Sequence, residues 1–110
     1  MIHGTLRMKM PARNVAEAMG ILRSVAVRTR VQPGCISCRI YQDTQDKQVV
    51  MVEEFWKSQE ELDRHLRSVE YRTVLLVVEM ASEKPEIRFS EISHSTGVET
   101  IEKARNRSIC

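Results

Sequence analysis

Glu54, Trp56 and His65 lie in one stretch, VVMVEEFWKSQEELDRHLRSVEY, from Val49 to Tyr71. They are the neighbouring groups of this chain best suited to bind and polarise a small aromatic molecule. Side chains alternate along a strand, so Glu54 and Trp56 share a face. His65 follows on a helix, and imidazole is the side chain that gains and loses a proton near neutral pH, which makes it the expected general base. Trp56 and Tyr71 are the expected platform for a planar ring. Phe55, alternating with Trp56, is expected to face the helices. Arg39 adds positive charge if its strand face lines the same cavity. Such a set could take a proton from a bound aromatic molecule and stabilise the charge that results, provided the pocket excludes water.

Each of these residues also has a packing role to set against the chemical one. A single His on the apolar side of a helix serves as a hydrogen-bonded core residue, and a Trp at a strand end plugs the base of a barrel. Glu54 and Arg39 on adjacent strands would form a cross-strand ion pair contributing about 0.2–1 kcal/mol. His3 alternates with polar residues and is expected at the rim.

The elements that must position these groups follow from periodicity. Ile2, Gly4, Leu6, Met8 and Met10 recur with period two and mark a first strand that Pro11 ends. Asn14 and Glu17 resemble a capping box, and Val15, Ala18, Met19, Leu22, Val25 and Ala26 then have helical spacing to about Arg30. Pro33-Gly34 turns the chain into a strand over Cys35 to Gln42, a polar loop spans Asp43 to Lys47, and a third strand covers Gln48 to Trp56. Ser58 and Glu61 open a helix with Leu62, His65, Leu66 and Val69 on one face. More helix is expected from about Tyr71 to Met80, then a fourth strand from Glu86 to Ser93. The order βαββαβ predicts an α+β, ferredoxin-like sandwich over residues 1–93, with both helices on one face of the sheet. Residues 94–110 form an extension in which Val98, Ile101, Ala104 and Arg105 permit a short helix.

Val49, Val50, Met51 and Val52 are consecutive apolar residues, a run that reads as a strand covered on both sides. Helices cover one face only. A second copy is therefore expected against the open face, giving a homodimer that encloses a barrel-like space.

Composition excludes several classes. A chain of 110 residues is one domain by length, and a net charge of +2 with dispersed basic residues gives no footprint for nucleic acid. No apolar run approaches the roughly 20 residues of a membrane span, and the strand pattern at the N-terminus leaves no signal-peptide pattern, so a cytoplasmic location is expected. Three cysteines, an odd number, fit a reducing compartment. Cys35 and Cys38 form a C-x-x-C, but three residues of strand span roughly 10 Å and set the two side chains on opposite faces, so the pair is expected to stay reduced. Cys110 is expected exposed and inert apart from oxidation. No phosphate loop, G-x-G-x-x-G, H-E-x-x-H or C-x-x-C-H occurs, so nucleotides, structural zinc and covalent haem have no motif support; a flavin is left open by motifs alone, and no cofactor is expected.

PGCISCRIYQD (Pro33 to Asp43), VEEFWKSQEELDRHL (Val52 to Leu66) and PEIRFSEI (Pro85 to Ile92) resemble the antibiotic biosynthesis monooxygenase domain family, over about residues 2 to 93. The resemblance implies a dimeric α+β barrel, and among such members are cofactor-independent quinol and anthrone monooxygenases. Many members place a second His after the helix His, where this chain has Glu70. Anthrone-oxidising members use a strand Asn whose matched position here is Val52, a lining position for the ligand. The haem-degrading branch carries an iron-ligating His matched near Leu75 and a first-strand Asn matched by Arg7 or Met8, so the resemblance does not extend to haem. Two functions follow: a cofactor-independent monooxygenase of quinol-like or polycyclic phenolic compounds, with His65, Trp56 and Glu54 catalytic and Arg39, Tyr71 and Val52 holding substrate, or a non-catalytic dimer that binds a small apolar ligand or serves a stress response.

Overall fold

A computed structural model describes residues 1–109, and Cys110 lies outside the described residues. Four strands, β1 (Ile2–Lys9), β2 (Cys35–Gln42), β3 (Val49–Trp56) and β4 (Glu86–Glu91), pair antiparallel in the order β2-β3-β1-β4. Helix α1 (Val15–Thr29) joins β1 to β2, α2 (Gln59–Leu66) and α3 (Val69–Glu79) join β3 to β4, and α4 (Val98–Arg105) ends the chain. This is the ferredoxin-like α+β arrangement.

Local chemistry explains each helix start. Ser58 accepts from the Glu61 backbone N–H and so caps α2. Its hydroxyl also donates to Glu61 Oε1, so the Glu side chain is held by the cap hydroxyl instead of reaching the cap N–H. Ser68 repeats the device, accepting from Tyr71 N–H, and breaks the expected continuous helix into α2 and α3. Val69 is left exposed by that break, off the face it was expected to share with Leu62 and His65. Asn14 makes no side-chain cap; a 3₁₀ turn over Ala12–Asn14 feeds α1 instead. Gly34 takes φ +83°, and an added Cβ would lie 1.3 Å from Glu61 Oε2, so the turn into β2 requires glycine on both counts.

The core sits between the sheet and α1 and α3, with Leu6, Met8, Met10, Val50 and Val52 packed against Ala18, Leu22, Val25, Val74 and Val77. Even-numbered residues of β1 and β3 face the helices. The expected facing of the aromatic pair is therefore reversed: Trp56 is fully buried under the helices, while Phe55 lies on the open face, stacked on His3 at 4.5 Å between ring centroids. Arg39 is also corrected. It stands opposite Glu53, whereas Cys38 stands opposite Glu54, so Arg39 and Glu54 lie on opposite faces and form no ion pair.

The β2 ladder slips between Cys35 and Ser37, leaving Ile36 as an extra residue. That bulge brings Cys35 and Cys38 onto the same, helix-facing side, against the expectation of opposite faces. Both are free thiols. The run Val49–Val52 divides between the two faces of the sheet, and Val50 and Val52 belong to the core. By register the open face combines Val49, Met51, Phe55 and Tyr41 with His3, Thr5, Arg7, Arg39, Glu53 and Arg88.

Candidate functional site

Glu54, Trp56, His65 and Tyr71 converge where the end of β3 meets α2 and the start of α3. His65 is held there because it follows Leu62 by three positions on α2, so both turn inward from a helix that Ser58 anchors to the strand end. The His65 ring stacks on Trp56 at 4.7 Å and meets the Tyr71 ring edge-on at 5.2 Å. Its Nδ1–H donates to Gln32 Oε1 at 2.9 Å. Nε2 then shares a proton with Glu54 Oε2 at 3.0 Å. Trp56 Nε1–H donates to the other carboxylate oxygen, Glu54 Oε1, at 3.2 Å. Glu54 is thus oriented by two donors in an apolar setting, His65 by a partner on each nitrogen, and Trp56 by its face and its N–H.

Burial separates the roles open to these groups. His65 is 1% exposed and Trp56 0%. A cavity of about 10 Å³, room for a single water, is lined by Gly4, Thr5, Leu6, Val52, Glu54, Tyr71, Val74 and Phe89. Glu54, Tyr71 and Val52 border it, while His65 and Trp56 stand behind Glu54. Larger hollows exist on the surface, one of about 520 Å³ along His3, Thr5, Arg7, Met51 and Arg88, but it opens on the far side of the sheet from Glu54. Arg39 borders a separate hollow with Arg30 and Ser37.

Electrostatics set the state of the cavity's acids. Burial, and then the nearby Glu54 charge, push the Tyr71 phenol up to about 12, so it remains a neutral hydroxyl across the physiological range. Burial likewise raises the Cys38 thiol to about 12, with Glu54 and Cys35 adding and Arg30 opposing, and Cys35 is raised for the same leading reasons. Both shifts disfavour the thiolate, which is the reactive form of a cysteine. Among the described residues no group of three or more His, Cys, Asp or Glu side chains is placed to hold a metal.

Sequence reasoning missed three residues of this region. Gln32 sits in the turn after α1, 33 positions from His65, and carried no local pattern. Gly4 and Phe89 face each other across β1 and β4, with the Phe89 ring lying where a side chain on Gly4 would be. The glycine at an inward position of a strand was the available signal.

The fold has close counterparts among solved structures. An antibiotic biosynthesis monooxygenase superposes with a TM-score of 0.77 at 17% identity, over 86% of this chain and 100% of its own. A conserved protein from Methanosarcina mazei gives 0.77 at 25% identity, over 82% and 90%. A protein from Deinococcus radiodurans, described as a candidate antibiotic biosynthesis monooxygenase, gives 0.80 at 16% identity, over 88% and 97%. No curated protein matches the chain. The antibiotic biosynthesis monooxygenase profile matches residues 1–75, well over half of the sequence and the stretch that supplies Glu54, Trp56, His65 and Tyr71. The chain belongs to the antibiotic biosynthesis monooxygenase family.

Proposed function

We propose that this protein is a cofactor-independent monooxygenase that oxidises an anthrone-like or quinol-like phenolic compound with molecular oxygen, and that Glu54 is its base. The observation that carries this reading is the placement of Glu54: a carboxylate fixed by Trp56 and His65 that borders the cavity shared with Tyr71. The sequence favours His65 as base, but its ring is sealed away from the cavity and engaged at both nitrogens. Its role becomes that of a positioning residue: Gln32 holds Nδ1–H, Nε2 shares the proton that fixes Glu54 Oε2, and Oε1, beside Gly4, is the carboxylate oxygen left toward the substrate.

For an anthrone the balance is complete. Glu54 removes a proton from the activated CH₂, the carbanion passes electrons to O₂, and the resulting hydroperoxide loses water. A CH₂ becomes C=O, one oxygen atom enters the product and the other leaves as water. Tyr71, a neutral phenol, donates a hydrogen bond to the substrate oxygen where charge gathers. The apolar walls, Leu6, Val52, Val74 and Phe89, exclude water from the anion.

The working unit in this proposal is a homodimer joined through the open sheet face, where Met51, Phe55 and Tyr41 lie among opposed charges. Two unpaired thiols suit a reducing, cytoplasmic location. A second reading, a non-catalytic ligand-binding protein, is favoured by the small volume of the cavity and the burial of His65.

Oxygen uptake with a panel of anthrones and naphthoquinols separates the two. Wild type is expected to exceed autoxidation, and Glu54→Gln, which keeps shape but cannot take a proton, to fall by about 10²-fold or more. Ligand binding with uptake at background for every compound would favour the binding protein.

A further inference from the structure

The cavity beside Glu54 has the room of about one water, whereas a pocket for a small organic ligand needs on the order of 300 Å³. A wall must therefore move for any aromatic ring to enter. Leu6, Val52 and Glu54 are buried on the two central strands, and Val74 and Tyr71 are buried on α3. Phe89 differs. It lies on the edge strand β4 and is 42% exposed.

Its ring also occupies an unusual seat. Phe89 pairs with Gly4, and a Cβ built on Gly4 would stand 2.9 Å from Phe89 Cδ1 and Cε1. The same point is 3.9 Å from Glu54 Oε1. The ring thus fills the space of a missing side chain, next to the carboxylate oxygen that would act on substrate. Rotation of Phe89 about its side-chain bonds toward solvent would empty that seat, because the ring stands at the edge of the sheet and already reaches the surface. Gly4 then offers a bare strand surface against which a flat ring can lie, within reach of Glu54.

We infer that Phe89 is the specificity-determining residue of this cavity: its ring on Gly4 is the movable wall that sets how large a planar phenolic molecule reaches Glu54. The inference rests on the cavity assigned above as the ligand site and adds which residue governs its size.

The test is calorimetric titration of the full chain with phenol and with 1-naphthol, compared as a ratio of affinities. Phe89→Ala is expected to raise the 1-naphthol to phenol ratio by about tenfold, the effect of a 1.4 kcal/mol difference in fit. Phe89→Leu, which keeps an apolar cover on the edge strand, should raise it less. Phe89→Tyr and Ile87→Ala should keep the wild-type ratio; Ile87 is a similarly exposed neighbour on β4 that does not border the cavity. A merely structural role would weaken both probes together and leave the ratio unmoved. An unchanged ratio with binding retained overturns the role of Phe89 and leaves the proposed function standing. Absence of binding of both probes in wild type and all variants overturns the cavity as a ligand site, and the proposed function with it.

Discussion

At the scale of single residues, the chain Gln32–His65–Glu54–Trp56 is a buried polar network whose members each have a partner, and no buried side-chain polar atom is left unpaired among the described residues. Such networks are stable while complete and fragile when cut, because the group left behind stays desolvated. His65→Ala removes the partner of the buried Glu54 and is expected to lower the unfolding free energy by about 3 kcal/mol or more. Gln32→Leu leaves Nδ1–H unpaired and is expected to lose about 1–3 kcal/mol. Urea titration of both variants checks these values. Equal stability of Gln32→Leu and wild type would show that the amide does not hold the ring.

At the scale of elements, the bulge in β2 and the burial of α3 make a prediction about alkaline pH. Cys38 and Tyr71 have folded-state values near 12, above the 9.0 and 10.0 of the unconstrained thiol and phenol. Between those limits the unfolded chain has lost protons that the folded chain keeps, so stability falls as pH rises. The contribution is complete below pH 9 and is lost as pH climbs to about 12. Denaturation midpoints measured through this window should decline, and Cys38→Ala with Tyr71→Phe should flatten the decline. Gly34→Ala is expected to cost about 1–2 kcal/mol from its left-handed φ alone, with a further loss from displacing Glu61. Element order was legible in the sequence, since period-two and helical spacings, Pro33-Gly34 and the Ser58 cap are local signals. What period two could not reveal was the extra residue at Ile36, which depends on pairing with β3, and so the shared side of Cys35 and Cys38. Nor could alternation say which of Phe55 and Trp56 faces inward; that was settled by Leu62, His65 and Ile2 closing over the indole.

At the scale of the whole molecule, the antiparallel sheet packs α1, α2 and α3 against one face, and no described helix is long and apolar enough to cross a membrane. The proposed dimer uses the other face of the sheet, so sedimentation velocity should show a dimer, and Met51→Lys, which sets a charge in the middle of the face, should shift it to monomer. A monomeric wild type at all concentrations would remove the dimer from the account. That Glu54, Trp56 and His65 meet was legible because they crowd into one segment, while Gln32, Gly4 and Phe89 come from elements that only tertiary packing brings together. In the proposed reaction Glu54 starts the transfer of one oxygen atom from O₂ to an activated CH₂, which mass spectrometry of the product formed from an anthrone under ¹⁸O₂ tests for wild type and Glu54→Gln. One ¹⁸O atom is expected in the new carbonyl, formed by wild type well above autoxidation and by the variant at background. Equal product from both proteins, or carbonyl oxygen drawn from water throughout, would rule this reaction out.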